Sequence, residues 1–150
     1  MLDAESVIFT AVAKAVREKF DGVRCYPEEV NTPSSFPCFT LVESSNTTYR
    51  QSMTSDNKEN HVDLLFTANT YSNLASGAKQ QCKEMMDVID GAMRSYGFVR
   101  TVNEQMPNYE RTISRRTARW RGILGADGYI NKNLLSFYLL YRKGKCKYGD

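Results

Sequence analysis

Histidine is almost missing from this chain: His61 stands alone in 150 residues. A histidine-based triad or acid–base pair would have to be built on it. Its place on the polar side of a β-like alternation, beside Asp63, points instead to a structural or solvated role. A tetrahedral zinc site is equally short of ligands, because Cys25, Cys38, Cys82 and Cys146 are scattered without CxxC spacing. The patterns GxxxxGK[ST], GxGxxG and HExxH are absent, and with them the phosphate-cradling and metalloprotease devices they encode. The expectation is a protein without enzymatic activity, cofactor or metal.

Long apolar runs are lacking too. The longest near the end, "LLSFYLLY" at 134–141, is far short of the roughly 20 residues a membrane helix needs, so no membrane span is expected. The opening "MLDAESVIFT" has acids where an export signal would carry Lys or Arg. That predicts an intracellular protein with four free thiols. Charge of one sign is also scarce: 20 Lys and Arg against 17 Asp and Glu leave +3, too little to argue for nucleic-acid binding by bulk charge.

What is present suits one globular domain. Hydrophobic residues at 41% and charged residues at 25% lie near globular averages. Residues 3–20 repeat apolar positions at helical spacing, with Asp3 as the expected N-cap and Gly22 as the stop. "GVRCY" (22–26), "CFTLVESS" (38–45) and "NHVDLLFTANT" (60–70) read as strands, the last with Val62, Leu64, Phe66 and Ala68 facing the core. The polar stretch 46–59 between the last two is too long for a tight turn and reads as a protruding hairpin tip. Residues 73–96 form a long amphipathic helix, capped by Ser72 or Asn73 and ended by Gly97. Its Leu74, Cys82, Met85, Met86, Ile89, Met93 and Tyr96 make the apolar stripe, while Glu84, Asp87 and Asp90 read as part of a solvated face. "FVRTVNEQM" (98–106), with Phe98, Val102 and Met106 inward, and residues 110–124 give two more strands. The expected fold is α+β: a mostly antiparallel sheet with both helices on one face and a protruding hairpin. Residues 1–130 form the domain, and 131–150 a C-terminal extension, strand or tail.

One stretch stands out, "ISRRTARWRG" at 113–122. In an extended strand Arg115, Thr117, Arg119 and Arg121 point one way, and Arg116, Ala118, Trp120 and Gly122 the other. Trp120 then enters the core, with Ala118 and Gly122 leaving room for its ring. The opposite side becomes a basic face, either solvated and paired with acids such as Glu104 or Glu110, or used between subunits or near DNA phosphates.

The order of several phrases resembles the tail terminator (tail completion) proteins of long-tailed bacteriophages. They are "VREKFDGVRCYPEEV", "FPCFTLVESSN", "NHVDLLFTANTYSN", "GAKQQCKEMMDVIDGAMRSYGFVRT" and "MPNYERTISRRTARWRGILGADGYI", together covering roughly residues 5–130. The resemblance implies a structural virion protein, assembled in the host cytoplasm. It would cap the tail tube as a closed ring, typically of six subunits, and present a surface to head completion or connector proteins. On that reading Arg115, Arg116, Arg119 and Arg121 lie at a subunit interface or toward the channel through which DNA passes. Thr48, Tyr49, Arg50, Gln51 and Met53 of the hairpin tip would touch the tube or a neighbour. After "GYI" the chain departs from the family pattern by running on for another 20 residues. Two other readings compete: another head-to-tail connector, and a small nucleic-acid-binding module using Tyr109 and Trp120 as stacking groups.

Overall fold

A computed structural model describes residues 2–128 and 130. Within them the order is α1 (Glu5–Lys19), β1 (Arg24–Tyr26), β2 (Cys38–Thr48), a 3-10 turn (Arg50–Ser52), β3 (His61–Ser72), α2 (Ala78–Ser95), β4 (Val99–Met106) and β5 (Ser114–Gly125). The fold is α+β, its five strands forming one mixed sheet in the order β1-β2-β3-β5-β4. Only β1 and β2 run parallel; β2 with β3, β3 with β5 and β5 with β4 are antiparallel. The expected extension 131–150 lies outside the described residues.

Strand alternation builds the core. Val62, Leu64, Phe66 and Ala68 of β3 are fully buried, as are Phe39 of β2 and Ala118 and Trp120 of β5. They share one cluster with Ile8, Val12 and Val16 of α1 and with Met85, Met86, Ile89 and Met93 of α2. Each such side chain contributes about 1.5–3 kcal/mol by leaving water. Phe66 and Phe98 meet edge to face, 5.4 Å between centroids. Gly122 makes that possible, since a Cβ there would stand 2.7 Å from the Phe98 ring. The room expected for Trp120 at Gly122 is thus taken by Phe98.

Two boundaries differ from expectation. Ala4, not Asp3, occupies the cap position of α1, although the Asp3 carboxylate accepts the Glu5 N–H at 2.9 Å. The long helix starts at Ala78, five residues late, because β3 continues through buried Ser72, paired with Ser114. Gly77, at φ 81°, then turns the chain into α2, a conformation glycine adopts without strain. Leu74 therefore lies off the helix and is 47% exposed, and Tyr96, just past its end, is exposed too.

β4 corrects a third expectation. A bulge between Arg100 and Val102 places Val102 opposite Arg119 and Met106 opposite Arg115, away from the helices. The extra residue of a bulge flips the alternation after it. Phe98 alone of the three expected inward residues joins the core.

Among the described residues no helix is long and apolar enough to cross a membrane, and no group of three or more His, Cys, Asp or Glu is placed to hold a metal ion.

Candidate functional site

The register of β5 sorts its arginines by face. Trp120 and Ala118 turn to the helices, and Arg116 shares their side of the strand. Arg115, Arg119 and Arg121 line the face on which neither α1 nor α2 packs, opposite Tyr71, Thr67 and Leu65 of β3. The sequence alternation separates them in the same way.

Their surroundings are unequal. Arg121 forms a bidentate ion pair with Asp63, on β3 two residues from His61. Arg115 gives Nε and Nη2 to Asn69 Oδ1 at 3.2 and 3.1 Å, its guanidinium lying 5.7 Å from the centre of the Tyr71 ring. Asn69 is 2% exposed and also accepts the Thr117 hydroxyl at 2.5 Å. Its amide reaches Thr40 at 3.4 Å. This buried polar hub satisfies groups that would otherwise be costly to hide. On the other face Arg116 Nε donates to Asn103 Oδ1 at 2.7 Å.

Arg119 is different: it is exposed, and among the described residues its side chain makes no hydrogen bond or ion pair. The acids expected beside the row do not take it up. Glu104 lies opposite Thr117, and Glu110 sits in the turn before β5. Asp63 and Asn69 are the partners that sequence reasoning missed. Both stand on the outward positions of β3, so the alternation already placed them on the arginine face.

The hairpin tip divides likewise. Thr48 ends β2, half-buried, its hydroxyl bonded to Glu59 at 2.9 Å. Tyr49 is 6% exposed, gives its hydroxyl to Gln51 Oε1 at 2.7 Å and meets His61 edge-on. Arg50 and Gln51 are exposed, and Met53 is half-buried.

Asp90 corrects the reading of the helix carboxylates as solvated. It is 8% exposed and accepts the Trp120 indole N–H at 2.8 Å. Arg94 and Arg100 pair with it at 3.0 and 3.3 Å. Trp120 itself is fully buried and has no face free for a base to stack on, whereas Tyr109 in the β4–β5 turn is fully exposed.

Cys25, Cys38 and Cys82 are free thiols, and Cys146 lies outside the described residues. Burial pushes the Cys38 thiol up to about 12, with Cys82 and Cys25 adding to it. Burial also raises Cys82, against hydrogen bonds to Thr70 and Ser114. Neither group is an activated nucleophile, which requires a lowered thiol pKa.

No family model and no curated protein matches the chain.

Proposed function

We propose that the chain is a structural virion protein that caps a phage tail tube as a closed ring, six subunits being the expected number. The observation that carries the reading is the sheet face turned away from α1 and α2, where Arg119 stands exposed and unpaired among the described residues between two arginines already held by Asn69 and Asp63. A fixed, unneutralised charge on a rigid strand suits a contact that is completed only by a second molecule. The resemblance of the order of its sequence phrases to tail terminators supports the ring and its place. A ring of identical subunits uses a heterologous interface whose rotation closes.

On this reading the helices form the support and the arginine face meets a neighbouring subunit or the DNA channel, without base-specific contacts. The hairpin β2–β3 protrudes with its tip toward the tube or a neighbour, Arg50 and Gln51 being its exposed side chains. The opposite ring surface receives the head completion or connector protein. No catalytic step and no cofactor is involved.

Sedimentation velocity of the purified chain over a range of concentrations, with and without tail tubes, tests the reading. A ring-sized species, or co-sedimentation with tubes at one copy set per tube end, supports it. A monomer that ignores tubes at every concentration contradicts it. The stacking module loses ground with Trp120 buried.

A further inference from the structure

We propose that the C-terminal segment 134–147 of one copy docks on the open edge of β2 in the next copy, an arm that links neighbouring subunits. The proposal rests on the ring reading above and names the contact that closes it.

The acceptor is described in full. β1 covers β2 only over Cys38–Thr40. From Val42 to Thr48 that side of β2 has no partner strand among the described residues, although its other side pairs with β3 on both sides of a bulge at Ser44. An unpaired strand edge is a template for strand addition. Beside it lies a recess of about 450 Å³, with Phe9, Pro27 and Leu41 as apolar lining and Asp3, Glu5 and Glu28 as an acidic rim. Glu43, on β2 next to this recess, has a buried Oε2 with no hydrogen-bond partner. Its carboxyl is raised, first by burial and further by Asp3 and Glu5, against the Asn46 hydrogen bond. Among the described residues the edge thus combines a strand side without a partner strand, an apolar recess beside it and carboxylates that no cation pairs with.

The donor has the complementary pattern. Leu134–Tyr141 is an apolar, β-prone run, and Arg142, Lys143, Lys145 and Lys147 follow it, with no acid before Asp150. An apolar run followed by four cations matches an apolar recess with carboxylates around it, beside a strand edge that is mostly polar.

The exit point decides whose edge is reached. Ile130 bridges Leu124 antiparallel, on the β4 side of β5. Ile130, the last described residue, thus stands beyond β3 and β5 from β2 in the strand order. The Ala126 N–H to Asn60 O bond joins the β5 end turn to the hairpin tip between them. A head-to-tail ring in which the Ile130 side of one copy lies beside the β2 edge of the next brings donor and acceptor together.

Equal amounts of full-length 14N and 15N protein, mixed before concentration, provide the test. A zero-length carbodiimide joins lysine amines to carboxylates in contact, and mass spectrometry reads the pairs. Cross-links from Lys143, Lys145 or Lys147 to Glu28, Glu5 or Asp3, found in mixed heavy–light pairs, are expected. The same pairs found only within one isotope, or those lysines joining only other carboxylates, overturn the proposal. Glu28 is exposed, so Glu28→Lys leaves the fold intact; it should weaken self-association roughly tenfold, and Lys143→Glu with Lys145→Glu should restore it. Electron microscopy of the same samples separates the two ideas. Rings without these cross-links remove the arm and leave the cap, whereas mixed cross-links in a protein that never forms a ring or caps a tube remove the cap and leave the arm.

Discussion

The indole N–H of Trp120 donates to Asp90 Oδ1 at 2.8 Å, tying the middle of β5 to the fourth turn of α2. A carboxylate 8% exposed in a helix–sheet interface would be costly alone. Here one oxygen takes the indole, and the other takes Arg94 and Arg100. The arginine strand is therefore anchored on its helix side, and its outward face is presented by a rigid element.

Trp120→Phe is expected to destabilise the fold by about 2–4 kcal/mol, combining lost volume with an Asp90 oxygen left without its donor. Asp90→Ala should cost about 1–3 kcal/mol for the reciprocal reason. Urea unfolding followed by circular dichroism measures both. A loss below about 0.5 kcal/mol in each would show that the pair does not hold α2 to the sheet.

Arg119 and Arg121 separate assembly from stability. Arg119→Glu should unfold within about 0.5 kcal/mol of the wild type, as an exposed site without a partner, yet lose self-association or tube capping. Arg121→Glu places two carboxylates together and should cost about 1–3 kcal/mol. Equal destabilisation of both, or normal assembly by the Arg119 variant, would contradict this division.

In the tip, Arg50→Ser should leave the unfolding midpoint unchanged, since the side chain is exposed, while tube binding falls. Tyr49→Ala should instead lower stability by about 2–4 kcal/mol, because the ring is buried. Thermal unfolding beside a tube pull-down distinguishes the two effects.

Thiol chemistry gives a test of the core. Cys38 and Cys82 should stay unmodified by a thiol reagent at pH 8 in the folded protein and react on unfolding, because their raised pKa keeps them protonated. The linkage sign follows: the stability they confer is complete below the ordinary thiol value of 9.0 and is lost as pH rises toward about 12 for Cys38. Rapid labelling of Cys38 in the native state would contradict its burial.

Glu43 acts in the acid range. Its folded pKa lies above the reference value of 4.5, so ionisation at neutral pH disfavours the fold, and protonation removes the penalty. Glu43→Gln should raise the melting temperature at pH 7 and have no effect well below pH 4.5. No gain at pH 7 would mean that the carboxylate has compensation in the folded state.

Much of this was legible in the chain. The period of two in Val62–Ala68 and in Arg115–Gly122 reported real faces, and the i, i+4 spacing of Ile8, Val12 and Val16 reported a real helix stripe. What failed was local competition. Ser72 reads as a helix cap, but its strand pairing with Ser114 wins, and the helix waits for Gly77. The β4 bulge inverts the face of Val102 and Met106, and a single extra residue leaves no compositional mark. Asp90 reads as a surface acid because the indole that needs it lies 30 residues away.

The most direct test of the capping role is electron microscopy of the purified full-length protein, alone at high concentration and mixed with tail tubes. The account predicts a closed ring, of six subunits, or added density confined to one end of the tube. Tubes with both ends bare, from a protein that stays monomeric beside them, would contradict it.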